Sequence, residues 1–314
     1  MLKLSIVFLL GLSTTIAFGQ GKFIPDEKYL NQSAKAFSLY GEKRYIQAAR
    51  SYDTLFNTNS GLGLQSDCYN AATVWALSGN ADKAFFYLKT AITAGKWMNL
   101  SRILSDPDLQ TLHVDKRWQQ LIDAAKSRSK KAATRFNKPL VGLLDTVLKA
   151  DQTDRINIAV VQKQYGPGSP QMDSLRRKIH LQDSVNKIQV MQIIDRYGWP
   201  GPETVGEPGA KTIFLVIQHS DLRTQVNYLP KMKEAVEKDR ACPEDLALLE
   251  DRILIGQGKK QIYGSQLHQD NITGKNEFWP IDDEAHVNER RASVGLIPLE
   301  KYAKYFGIEY TVPK

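Results

Sequence analysis

Three stretches in the last third of this chain set ionisable and amide side chains directly against apolar runs. In the first, Thr212-Ile213-Phe214-Leu215-Val216-Ile217 is followed at once by Gln218-His219-Ser220-Asp221. Five consecutive apolar residues imply an element buried on all sides, helix or strand. Gln218, His219 and Asp221 therefore stand where a buried element surfaces. His219 suits general acid–base work because its ordinary pKa lies close to neutrality. In the second stretch, Pro243-Glu244-Asp245 suits a helix start, and Gly256 to Lys260 suits its end. At ~100° per residue, apolar side chains occupy nearly every direction around that helix, so Asp251 and Arg252 fall among them. A charge in such surroundings must be paired or hydrogen-bonded. An ion pair meets that demand, and so does an active-site group. In the third stretch, Gln261-Ile262-Tyr263-Gly264-Ser265-Gln266 alternates like a strand, with Gln261, Tyr263 and Ser265 on one face. Phe278-Trp279-Pro280-Ile281, beyond a polar turn, is its expected hairpin partner.

Two functional readings follow from these residue types. In one, a non-catalytic protein binds a ligand through Gln218, His219, Gln266 and an arginine. Trp199, Gln261, Tyr263, Arg290 and Arg291 complete that candidate ligand-binding set. In the other, the chain is a hydrolase. His219 is the general base, Asp221 or Asp251 orients it, and Arg252 or Arg291 holds an anionic group or a developing oxyanion. Tyr263 could donate a proton. A zinc site wants about three His, Cys or carboxylate ligands. His219 with Asp221, His268 and His286 forms no recognised pattern, and neither metal nor cofactor is expected. Serine-nucleophile, phosphate-loop and dinucleotide signatures are absent from the sequence.

The elements that must position these residues are mostly helices. Leu140, Leu143, Leu144, Val147 and Leu148 form an amphipathic stripe, and Ser169-Pro170 reads as an N-cap with proline at the first helical position. That cap opens a long helix ending at Gly198-Trp199-Pro200-Gly201, after which Glu203 to Gly209 is expected to be a glycine- and proline-rich loop. The blocks Tyr197-Gly198-Trp199-Pro200, Val205-Gly206, Gln218 to Asp221, Leu249 to Arg252, Gln261 to Gln266 and Arg290 to Leu296 occur in a specific order and spacing. In these blocks, over about residues 140–305, the chain resembles an uncharacterised bacterial family catalogued only as a domain of unknown function. That resemblance implies a domain boundary and no chemistry. Ser265 stands where threonine is expected.

The first half repeats itself. Tyr40-Gly41-Glu42-Lys43-Arg44-Tyr45-Ile46-Gln47-Ala48 and Ser78-Gly79-Asn80-Ala81-Asp82-Lys83-Ala84 set Ala48 and Ala84 36 positions apart, close to the ~34-residue period of a tetratricopeptide unit. A glycine allows the tight turn, and a small alanine lets the paired helices approach. Over about residues 30–125 the chain resembles the tetratricopeptide family, which implies a groove for a protein or peptide partner. Packing against the chain's own second half is the alternative use of that surface. The expected fold is mainly α: tetratricopeptide-like hairpins, then an α-rich domain over 140–314 with one small β-hairpin.

Composition narrows the class further. With 42% hydrophobic and 24% charged residues the chain is an ordinary globular sequence. Of its formal +8, Lys3 contributes one charge, and six positives between Asp123 and Asp145 leave about +1 for everything else. The basicity belongs to a solvated linker over 126–139 and does not point to nucleic acid. Lys3, the apolar run from Leu4 to Phe18 and Ala17-Phe18-Gly19 have the layout of a signal peptide over 1–19. Periplasmic or secreted localisation is expected, with no membrane span after cleavage. The two cysteines, Cys68 and Cys242, are expected to be buried thiols.

Overall fold

In a computed structural model, the described residues are 15–16, 23, 25–94, 100–269 and 275–313. The segment over 1–19, expected to be a signal peptide, lies outside them apart from Thr15–Ile16, which pairs antiparallel with Gly63–Leu64. The fold is mainly α, with fourteen α-helices among the described residues. Among those residues, no helix is long and apolar enough to cross a membrane.

Two helical hairpins open the chain, α1 (Glu27–Gly41) with α2 (Tyr45–Thr58), and α3 (Gln65–Leu77) with α4 (Ala81–Ala94). Asp26 starts α1 by accepting the Tyr29 N–H at 2.7 Å. Each hairpin turn needs a left-handed residue. Gly79 supplies it between α3 and α4 (φ 79°), whereas Lys43 takes it between α1 and α2 (φ 62°). Ala48, Ala49, Ala71, Ala72 and Ala84 are wholly buried where these helices meet. Helix α5 (Leu100–Ser105), a 3-10 turn (Pro107–Leu112) and α6 (Lys116–Ala133) close this core with Leu109, Leu112, Trp118 and Ile122.

The expected basic linker is carried largely by a helix, because α6 runs on to Ala133. Two of its cations neutralise helix ends. Arg128 donates to the carbonyls of Ile92 and Thr93 at the end of α4, and Lys138 donates to that of Ala133.

The second core is built from α7 (Lys138–Arg155), α9 (Pro170–Tyr197), α10 (Pro202–His219), α11 (Leu222–Glu237) and α12 (Pro243–Gly256). The short α8 (Ile158–Tyr165) lies against α9. Ser169 caps α9 with Pro170 following, as the sequence suggests. The expected loop over 203–209 is helical instead. Pro202 and Pro208 each suit a first helical turn, and Gly206 (φ 73°, ψ 166°) breaks the run between them, so α10 is two helices joined at a kink. A Cβ at Gly206 would come within 2.9 Å of the Phe136 ring. The apolar run Thr212 to Ile217 is helix rather than strand.

The hairpin is present but displaced. It pairs β3 (Leu267–Gln269) with β4 (Asn276–Phe278), and Leu267 faces Phe278. Residues 262–265 form a loop, and Gln261 touches Ile281 only through an isolated bridge. A 3-10 turn (Glu284–His286), α13 (Val287–Ser293) and α14 (Leu299–Lys304) complete the chain. These last elements dock on the first core. Helix α13 packs on α1, and Lys301 pairs with Asp108 while lying 3.6 Å over the Tyr40 ring. Arg102 pairs with Glu244 at 3.0 Å. Both cysteines are free thiols; Cys68 is buried and Cys242 half-buried.

Candidate functional site

On α7 the buried stripe Leu140, Leu144 and Val147 continues to Asp151, a carboxylate only 1% exposed. Position 151 is one helical turn beyond Val147, so the stripe that buries the leucines buries the acid too. His219, the last residue of α10, meets it there, with Nδ1 2.9 Å from Asp151 Oδ1. Gln152 donates to Asp151 Oδ2 at 2.7 Å. Burial pulls the Asp151 carboxyl upward, but the hydrogen bond and charge of His219 and the charge of Arg155 outweigh it and hold the group below its ordinary value. Arg155 Nη1 lies 3.9 Å from Asp151, while Nη2 reaches Asp183 of α9 at 2.9 Å.

With Nδ1 committed to Asp151, Nε2 is the nitrogen left to exchange protons, and it has no hydrogen-bond partner among the described residues. The side chain keeps 19% of its surface exposed. Next to it, Gln218 is 4% exposed with Nε2 directed at the Leu248 carbonyl at 3.4 Å, while its Oε1, sealed from solvent, has no partner among the described residues. Gln266 Nε2 approaches the same carbonyl at 3.3 Å, which brings the two amides side by side. Arg252, one turn beyond Leu248 on α12, forms no hydrogen bond or ion pair among the described residues. It is solvent-exposed yet partly dehydrated; that loss of hydration and the like charge of Arg155 push its guanidinium below the usual arginine range.

The remaining sequence candidates are elsewhere or otherwise engaged. Asp221 does not orient His219. It caps α11 by accepting the Thr224 N–H at 2.9 Å and pairs with Lys187, and those contacts bring its carboxyl down to about 2. Asp251 is wholly buried but serves a loop. Its Oδ1 accepts the N–H groups of Ile262 and Tyr263, and its Oδ2 accepts that of Ser265 at 2.9 Å. Arg291, also wholly buried, holds the same loop from its carbonyl side, donating to Tyr263 O at 2.6 Å and to Ile297 O. Burial lowers its guanidinium to about 10.

Arg290 donates to Ile262 O, and Gln261 donates to the carbonyls of Gln266 and Trp279 while accepting the Gln266 N–H. Tyr263 directs its hydroxyl toward Glu250 at 3.5 Å, and burial first, then Glu250, pushes that hydroxyl upward. These side chains form the skeleton of the 261–266 loop. Trp199 lies at the opposite end of α10.

The structure therefore joins His219, Gln218, Gln266 and Arg252, and it adds Asp151, Arg155 and Asp183, which sequence reasoning missed. A carboxylate at the next position of an apolar stripe was the available signal for Asp151. Asp151, Asp183 and His219 could each offer one ligand atom to a cation within 4.8 Å of the others. Arg155 already places a positive charge between the two carboxylates, so the set fits an acid–base pair with a fixed arginine better than a metal ion. His268 and His286 do not join the group; His286 pairs with Asp283.

Residues 141–312 match the model of a family of unknown function, DUF6624. Residues 27–133 match that of an A/B hydrolase-like, N-terminal domain. No curated protein and no solved structure matches the chain.

Proposed function

This chain belongs to the DUF6624 family of unknown function, and from the geometry around His219 we propose that its C-terminal unit binds a small anionic ligand and hydrolyses it by general acid–base catalysis. One observation carries the reading: an accessible imidazole is oriented through Nδ1 by a carboxylate that is itself buried. Asp151 keeps Nε2 free to take a proton from water and stabilises the imidazolium that results. Arg155, fixed by Asp183, and Arg252, which has no partner among the described residues, supply positive charge for a phosphate or carboxylate group. The hydrolase wording of the N-terminal match adds no residue to this site, which lies wholly C-terminal to the matched stretch.

The helical hairpins carry the tetratricopeptide resemblance and with it the idea of a protein or peptide partner. The structure favours that use less, because α13 and α14 already cover part of α1. Export to the periplasm or the medium belongs to the proposal on the pattern of residues 1–19 alone.

The test is hydrolysis of 4-nitrophenyl phosphate and 4-nitrophenyl succinate by the purified chain, which separates phosphate from carboxylate recognition. His219→Ala should lower kcat by about 10²–10⁴-fold, Asp151→Asn should do the same, and Arg252→Gln should raise KM. A folded His219→Ala variant as active as the parent overturns the reading. So does a wild-type chain that turns over neither ester.

A further inference from the structure

The end of α10 away from His219 borders a separate cavity of about 170 Å³, lined by Leu140, Tyr197, Trp199, Glu203, Thr204 and Arg240 among others. Trp199 is only 4% exposed, and its indole N–H has no hydrogen-bond partner among the described residues. That nitrogen is not sealed from solvent, and Trp199 lines the cavity.

The other polar groups of the wall are open to solvent: Tyr197 is exposed, and Arg240 and Glu203 each keep nearly half of their side-chain surface. The hydroxyls of Tyr197 and Thr204 make no hydrogen bond among the described residues. Arg240 and Glu203 face each other across 3.9 Å, too far for a hydrogen bond. Thr204 itself is fixed, because its carbonyl accepts the Asn137 N–H at 2.8 Å. The wall thus offers several donors, one carboxylate acceptor, two aromatic rings and no net charge.

Charge balance selects the ligand. An anion would meet Glu203, and a cation would meet Arg240, each at the cost of like-charge repulsion. A neutral molecule whose hydroxyls both donate and accept satisfies every group at once. At about 170 Å³ the cavity lies below the ~300–1,000 Å³ of drug-sized sites, which restricts it to a molecule of about one ring. We propose that this cavity binds a neutral monosaccharide-sized polyol, with Trp199 Nε1, Thr204 and the Arg240–Glu203 pair bonding its hydroxyls and Tyr197 against its apolar face. The site is distinct from the one around His219.

Saturation-transfer NMR on the full chain tests this with glucose, galactose and inositol as neutral probes, and benzoate and choline as charged ones. A neutral probe should bind at millimolar concentration. Trp199→Phe, which keeps an aromatic ring and removes the N–H, and the surface variant Arg240→Gln should each weaken that binding at least tenfold. His219→Ala should leave it unchanged, so that failure of the hydrolase reading does not touch this one. Absence of any neutral binder, preference for benzoate or choline, or binding unaffected by Arg240→Gln would overturn the proposal.

Discussion

Asp251 and Arg291 hold opposite edges of one loop with no hydrogen bond or ion pair between them: the acid takes the N–H groups of residues 262, 263 and 265, and the arginine takes the carbonyl of residue 263. A turn is thereby clamped between a buried anion and a buried cation, and Gln266 is delivered to the Leu248 carbonyl beside Gln218. Both charges are compensated by oriented peptide dipoles, and Arg291 also by the Tyr302 ring at 4.9 Å.

Removing the anion should unfasten the loop. Asp251→Ala leaves three backbone donors without their acceptor and should cost about 3 kcal/mol or more. Urea denaturation measures the loss, and amide exchange at Ile262, Tyr263 and Ser265 should rise together. Unchanged protection at those three amides would refute the clamp.

Asp67 gives a pH dependence of stability in the first core. It is buried between the Tyr29 and Ser33 hydroxyls, and burial raises its carboxyl from 3.8 to about 6 against the pull of those two bonds. The folded state then holds a proton that the unfolded chain releases, so this contribution is complete below pH ~4 and is lost as pH rises through about 6. At 1.36 kcal/mol per unit, roughly 3 kcal/mol should disappear over that interval. Asp67→Asn should flatten the slope between pH 4 and 6 in denaturant titrations.

Gly206 is required by both backbone and space. Its positive φ favours glycine, and a Cβ would press on Phe136. Gly206→Ala should cost about 1–3 kcal/mol, read as a lower Tm, and Phe136→Ala in the same chain should not restore it, because the backbone strain remains.

Lys301 latches the C-terminal helices to the first core. Dehydration pulls its ammonium down, while Asp108 partly offsets this. Lys301→Met should raise amide exchange in α14 and along the α13-facing side of α1, leaving the α7–α10 core as protected as before. Equal deprotection of both cores would show that the latch is not local.

Much of the architecture was legible beforehand because it is written in local periodicity and caps. Ser169-Pro170, Pro243 and the paired alanines announce their helices wherever the rest of the chain goes. The errors came where one local signal had two physical meanings. Glycine and proline over 201–209 signalled a loop, but two prolines at first-turn positions around one left-handed glycine also describe a kinked helix. Alternation over 261–266 signalled a strand, but the backbone groups of 262–265 are claimed by side chains such as Asp251, Arg290 and Arg291, and only Gln261 and Gln266 at its ends bond across to residues 279–282.

The candidate site divides along the same line. Its amino-acid sequence determined that His219 and Gln218 end a buried element, and that the charges of α12 need partners. Only the tertiary structure decided who those partners are. Asp151 comes from a helix 68 residues upstream of His219, Asp251 is satisfied by peptide groups, and Arg252 is left without a partner among the described residues. Helical periodicity acts over a few residues, whereas a buried charge is compensated by whatever the packing of distant helices brings within about 3 Å.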